Sequence, residues 1–135
     1  MLFDEPDVVS IFLATLREAL GRWCCSAPVC CFMPDHLHLI VQGDTDRPDT
    51  RGAMAAFKQK SGFWLRRHRP GRAWQKDFWD HIIRCSEDLG AQVRYVAENP
   101  VRQGLARDWR EYPYTGAIGH DLREILADAA FLAGR

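Results

Sequence analysis

Long apolar runs are missing from this chain. The longest, such as "VVSIFLATL" at 8–16, fall well short of the roughly 20 residues that cross a bilayer, so no membrane-spanning helix is expected. The N-terminus, "MLFDEPD", has neither the basic region nor the small-residue cleavage site of a secretory signal, and the expectation is a cytoplasmic protein without a membrane partner. Internal repeats and low-complexity linkers are absent too, and 135 residues with 47% hydrophobic content fit a single domain, 1–135, large enough to bury a core. The cysteines Cys24, Cys25, Cys30, Cys31 and Cys85 are odd in number, and neither adjacent pair has the two-residue gap of a zinc knuckle. A disulfide scaffold is therefore not expected, and these residues read as small buried hydrophobes flanking a strand.

Net charge is also lacking: 18 Lys and Arg balance 18 Asp and Glu, which taken alone argues against a polyanionic partner. The distribution argues for one. Between Arg51 and Lys76, "RGAMAAFKQKSGFWLRRHRPGRAWQK" carries eight basic residues and no acidic one, and such a local field is the footprint of phosphate-backbone binding. Lys58, Lys60, Arg66, Arg67, Arg69, Arg72 and Lys76 are the candidate DNA contacts. Phe57, Phe63, Trp64 and Trp74 interleave them and either offer stacking surfaces to unpaired bases or turn into the core.

Apolar residues at Val8, Ile11, Phe12, Leu16 and Leu20 predict a helix over 8–22, with Asp7 as its cap. "APVCCFMPDHLHLIVQ" reads as a strand broken or entered at Pro34, "GDTDRPDT" as a loop, and 52–68 as a second helix ended by Pro70 and Gly71. "FWDHIIRC" reads as another strand, and Ser86 as the cap of a helix running through "LGAQVRYVAEN". After Gly104 an irregular tail is expected, with a short helix at "DLREILADAAFL". The uneven alternation of helices and strands predicts an α+β sandwich, with helices against one face of a mainly antiparallel sheet.

Within "PDHLHLIV", His36 and His38 are two apart and share one side of a strand. That side is either wet and hydrogen-bonded or holds a metal, and two ligands alone do not make a site. Tyr95 and Asn99 are four apart and share a helix face. A phenol becomes a competent nucleophile when a divalent cation polarises its electrophile, and an amide oxygen suits Mg²⁺ or Mn²⁺. Together these groups form a kit for attack on a phosphodiester. Asn99 precedes Pro100, so distortion of the last helical turn is expected.

"FMPDHLHLIV" and "RYVAENPVRQGLARDW", with "WQKDFWDHIIR" between them, closely resemble the signatures of the REP-associated tyrosine transposases of the HUH superfamily, over about 2–115. The resemblance implies a ferredoxin-like two-layer sandwich and a single-strand DNA endonuclease that recognises palindromic hairpin DNA and forms a covalent 5′-phosphotyrosine. It further implies that Tyr95 is the nucleophile and that His36, His38 and Asn99 hold Mg²⁺ or Mn²⁺. His81 matches the family's strand histidine, with a structural or DNA-side role. Tyr112 and Tyr114 are expected to pack in the tail, and His68 and His120 to lie on the surface. Family members begin with a strand that would lie beside the histidine strand, and none is evident ahead of the first helix here. The expectation is then a sheet with unpaired central amides or an open edge, in a truncated copy or one completed by dimerisation. Monomer and homodimer both stay open. A catalytically inactive hairpin-binding remnant is the alternative function. A small hydrolase using the histidines is a third, but it leaves Tyr95, Asn99 and the basic segment unexplained.

Overall fold

A computed structural model describes residues 2–45, 49–74, 79–84 and 89–133, with side chains described for all of these except 79–84 and 128–133. After a 3-10 turn at Leu2–Asp4, helix α1 spans Pro6–Arg22. Pro6 occupies its first position, where a missing N–H costs nothing. The cap residue is Glu5, without a side-chain cap bond. Asp7 thus lies inside the first turn rather than at the cap, where its charge still meets the positive end of the helix dipole.

The segment expected to be one interrupted strand is a hairpin. Strand β1, Cys25–Met33, and β2, His36–Gly43, run antiparallel with Met33 opposite His36 and Cys31 opposite His38. Pro34 and Asp35 alone make the turn, and a proline pre-sets the backbone angle that such a turn needs. The two-residue turn shifts the alternation by one residue, so even-numbered Cys30 and Phe32 of β1 share a face with odd-numbered Leu37 and Leu39 of β2. The ladder shifts register between Ser26 and Val29. Pro28, which has no N–H to give, lies in that interval.

Helix α2, Thr50–His68, leads to β3, Trp79–Arg84, which pairs parallel to β2, with His38 opposite His81. Helices α3 (Leu89–Ala97) and α4 (Asn99–Arg102) follow, then β4, Thr115–Ile118, antiparallel to β1, and α5, Leu122–Ala133. The sheet order is β3-β2-β1-β4. β4 falls in the stretch expected to be irregular, because four residues are too few to carry a periodic signal. Among the described residues no strand precedes α1. The expected gap beside the histidine strand is nonetheless closed, since β3 occupies that side of β2 and pairs from His36 to Val41.

The architecture is α+β with a mainly antiparallel sheet, as expected, and its helices cover both faces rather than one. Helices α1 and α2 cover one face, where Phe3, Phe12, Leu16, Phe57 and Leu65 meet Leu37, Leu39, Val41, Cys30 and Phe32. Each such side chain contributes about 1.5–3 kcal/mol on burial. The opposite face is covered as well: Val93, Val96 and Ala97 of α3, with Leu122 and Leu126 of α5, pack on Val29, Cys31, Met33 and Ile40. β1 is consequently buried along its whole length. Alternation then sends Leu37, Leu39 and Val41 toward α1 and α2, and His36, His38 and Ile40 toward the α3 side.

Candidate nucleophile and metal-ligand site

Helix α3 forms because Leu89, Val93, Val96 and Ala97 recur at helical spacing and have a strand surface to cover. Ser86, expected to cap it, lies outside the described residues. This docking brings Tyr95 against β2. Its ring centroid is 6.2 Å from that of His38, edge to face at 79°. His38 is buried at 4% exposure whereas Tyr95 is 57% exposed, so the phenol is open to a substrate on one side and backed by imidazole on the other. The His36 and His38 rings are 6.2 Å apart. Asp35 Oδ1 accepts a hydrogen bond from His36 Nδ1 at 2.8 Å. Since an ionised carboxylate can only accept, Nδ1 carries a proton, and in the neutral ring the lone pair is then on Nε2.

Asn99 does not continue the Tyr95 helix. α3 ends at Ala97, Glu98 sits at φ −87°, ψ 0°, and Asn99 opens α4 with Pro100 in its first turn, the distortion expected of an Asn-Pro step. Arg102 bridges the break. Its Nη2 donates to the Tyr95 carbonyl oxygen at 2.6 Å and to Asn99 Oδ1 at 3.2 Å, and its guanidinium lies 3.9 Å from the Tyr95 ring centroid. Asn99 is 9% exposed. Among the described residues no group of three or more His, Cys, Asp and Glu side chains is placed to hold a metal ion. The donors available are two imidazoles and an amide oxygen. They suit a divalent cation chemically: Asp35 leaves His36 Nε2 to coordinate, and Asn99 Oδ1 keeps a second lone pair beyond the one Arg102 uses.

The family described as "Transposase IS200 like" matches residues 2–97. This chain belongs to the IS200-like transposase family. A Haemophilus influenzae (strain Rd) protein, itself a candidate REP-associated tyrosine transposase, is 24% identical over 120 residues, covering 81% of this chain and 68% of the relative. The REP-associated tyrosine transposase of Escherichia coli (strain K12) is 29% identical over 87 residues, covering 62% of this chain and 48% of the relative. The chain thus spans about two thirds of the first relative and about half of the second. No solved structure matches. Within the IS200-like match lie His36, His38 and Tyr95; Asn99 and Arg102 fall just beyond it.

In this IS200-like transposase the basic segment divides. Lys60 is paired with Glu18 of α1, and that ammonium holds the Glu18 carboxyl below the usual carboxylate range. Arg69 is paired with Glu5 at 2.9 Å, approaches Asp7 at 3.9 Å and lies over the Trp64 ring. Both therefore tie α2 to α1. Arg66 and Arg67 flank the exposed ring of Phe63, at 5.9 and 5.7 Å. Lys58 sits on α2, Arg72 is exposed beyond its end, and Lys76 lies outside the described residues. Of the interleaved aromatics, Phe57 is fully buried, and Trp64 and Trp74 pack against the same core. Trp74 Nε1 donates to Ser61 Oγ. Phe63 is the one of the four that faces solvent.

His68 stacks on Trp64. His120 is half-buried rather than a plain surface residue, with Nε2 2.8 Å from Ser26 Oγ. Tyr112 donates to the Phe32 carbonyl oxygen at 2.6 Å and packs edge to face with Tyr114. Burial pushes the Cys30 thiol up to about 12 and Cys31 up to about 11, as befits hydrophobic packing rather than reactivity. The described cysteines are free thiols.

Two residues at the site, Asp35 and Arg102, do not stand out in the sequence. The signal that could have found Asp35 is its place as a carboxylate directly before a ligand-type histidine. Arg102 stands seven positions after Tyr95 and three after Asn99, but its relation to the phenol depends on the helix break at Glu98.

Proposed function

We propose that this protein is a metal-dependent single-strand DNA endonuclease and strand transferase that acts on hairpins formed by palindromic repeats, with Tyr95 as nucleophile. The observation that carries the proposal is the contact of the exposed Tyr95 ring with buried His38, across from α3 to β2. Membership of a transposase family supports it. Tyr95 Oη bonds to the phosphorus while the bond from phosphorus to the 3′ oxygen breaks. The phenol's proton departs, the leaving oxygen takes one up as a free 3′-OH, and the 5′ phosphate stays on the tyrosine. One phosphodiester is exchanged for another, so rejoining needs no ATP.

His36, His38 and Asn99 would hold Mg²⁺ or Mn²⁺, which when bound supplies Lewis-acid polarisation of the scissile phosphate. Asp35 sets the orientation of His36, and the docking of α3 sets that of Tyr95. Arg66, Arg67 and Phe63 offer two cations and a stacking ring to a single strand.

The test is incubation with end-labelled single-stranded hairpins, with and without Mg²⁺ or Mn²⁺. A protein–DNA band that survives denaturation is expected for the wild type and is lost in Tyr95→Phe, while hairpin affinity stays nearly unchanged. A wild type that forms no adduct with either metal refutes the proposal. The second reading, a hairpin-binding module without a working site, is favoured by the direct pairing of β3 with the histidine strand, in the place of the strand that the resemblance implies. It gives binding without an adduct in the same assay.

A further inference from the structure

Arg102 touches both the nucleophile and the amide, and its charge is not neutralised by either. Its Nη2 serves both bonds, to the Tyr95 carbonyl oxygen and to Asn99 Oδ1. A guanidinium has five N–H donors in a planar fork. Those on Nη1 and Nε have no hydrogen-bond partner among the described residues, and no described carboxylate is paired with Arg102. Arg94, on the same helix as Tyr95, differs: Glu98 holds its Nη1 at 3.0 Å and the Leu126 carbonyl oxygen its Nη2 at 2.9 Å. Lys60 and Arg69 are likewise neutralised by α1. Arg102 therefore keeps an exposed positive charge, tethered at two points, on the face of the ring whose hydroxyl would attack.

We propose that Arg102 is a catalytic residue of this site, binding a non-bridging oxygen of the scissile phosphate through its remaining N–H donors while its planar face steadies the Tyr95 ring. The inference rests on the nuclease reading. A phosphorus joined to Tyr95 Oη lies at the edge of the ring that Arg102 covers, so one of its oxygens comes within reach of the guanidinium. Negative charge builds on those oxygens as the phenol attacks, and a donor already anchored to Tyr95 and Asn99 needs little reorganisation to meet it. Lysine cannot reproduce the arrangement, because it lacks the fork that makes tether and ligand bonds at once.

The experiment measures single-turnover adduct formation and hairpin affinity for the wild type, R102A and R102K, with Mn²⁺ present, and repeats the R102A rate with guanidinium ion added at non-denaturing concentration. R102A is expected to form adduct about 10²–10³-fold more slowly, the usual effect of removing one preorganised donor. Hairpin affinity should fall by no more than about threefold, and added guanidinium should recover about tenfold of the lost rate. R102K should remain at least about tenfold below wild type. An R102A rate within about threefold of wild type overturns the role of Arg102, and so does a slow R102A that guanidinium does not accelerate. Should R102A fail to fold, R102Q carries the same expectations. A wild type without adduct overturns the nuclease reading and this inference together; a wild-type adduct with undiminished R102A overturns this inference alone.

Discussion

Replacing Asp35 by asparagine isolates one interaction at the proposed metal site. Asp35 Oδ1 accepts from His36 Nδ1 at 2.8 Å, a charge-assisted bond that holds the ring so that Nε2 points away from the turn. Losing such an outer partner costs metal affinity by about 10–100-fold in general. The Asp35 side chain is 53% exposed while that of His36 is 12% exposed, so water already screens much of the carboxylate's charge. The lower end applies: about tenfold, or about 1.4 kcal/mol at 25 °C. Asparagine keeps the turn-forming side chain after Pro34, so the hairpin should survive. Calorimetric titration with Mn²⁺ reads the affinity directly, without DNA or turnover. Asp35→Asn should bind about tenfold more weakly and His38→Ala should not bind measurably. Equal affinities for wild type and Asp35→Asn would remove the orienting role of Asp35, and a wild type that binds no Mn²⁺ would remove the metal site itself.

Paired substitution of Arg66 and Arg67 by alanine should weaken hairpin binding and make its salt dependence shallower, by about 0.7 for each phosphate that the protein no longer neutralises, as for single strands. Lys60→Ala and Arg69→Ala should change that slope less, because Glu18 and Glu5 already hold those charges; titrations at several salt concentrations compare them. Phe57→Ala should lower unfolding free energy by about 3–5 kcal/mol in urea, since Phe57 is fully buried and edge-on to Phe12 and Trp74. Stability should fall as pH rises above about 9, because unfolded thiols there release protons that buried Cys30, at about 12, and Cys31, at about 11, retain. The unfolded state then binds fewer protons, and replacing both cysteines by alanine should flatten the decline in urea midpoint between about pH 9 and 10.5.

The local elements and the chemistry-bearing residues were legible in the sequence. Helix α1 declares itself through Val8, Phe12, Leu16 and Leu20, which all reach the core, because an amphipathic period survives whatever partner it meets. His36 and His38 announce a shared strand side for the same reason. What periodicity cannot carry is direction and partner. Pro34 and Asp35 shift the alternation by one residue, which does not say whether the chain has turned back or a single strand has been interrupted; β4 is too short for a pattern, and the covering of the second sheet face by α3 and α5 depends on contacts distant in sequence. The basic segment shows the division most clearly. Its charge was evident from composition, yet only packing separated Lys60 and Arg69, consumed by carboxylates of α1, from Arg66 and Arg67 beside exposed Phe63.

Tertiary structure alone decided that Tyr95 meets His38 and that β3 closes the side of β2 expected to lack a partner. It likewise decided that Arg102 folds back over the phenol. Sequence sets which groups a segment can present and on which side. Which groups meet is a property of the packed whole, because burial of Val93, Val96 and Ala97 against β1 and β2 determines where the rest of α3 must lie.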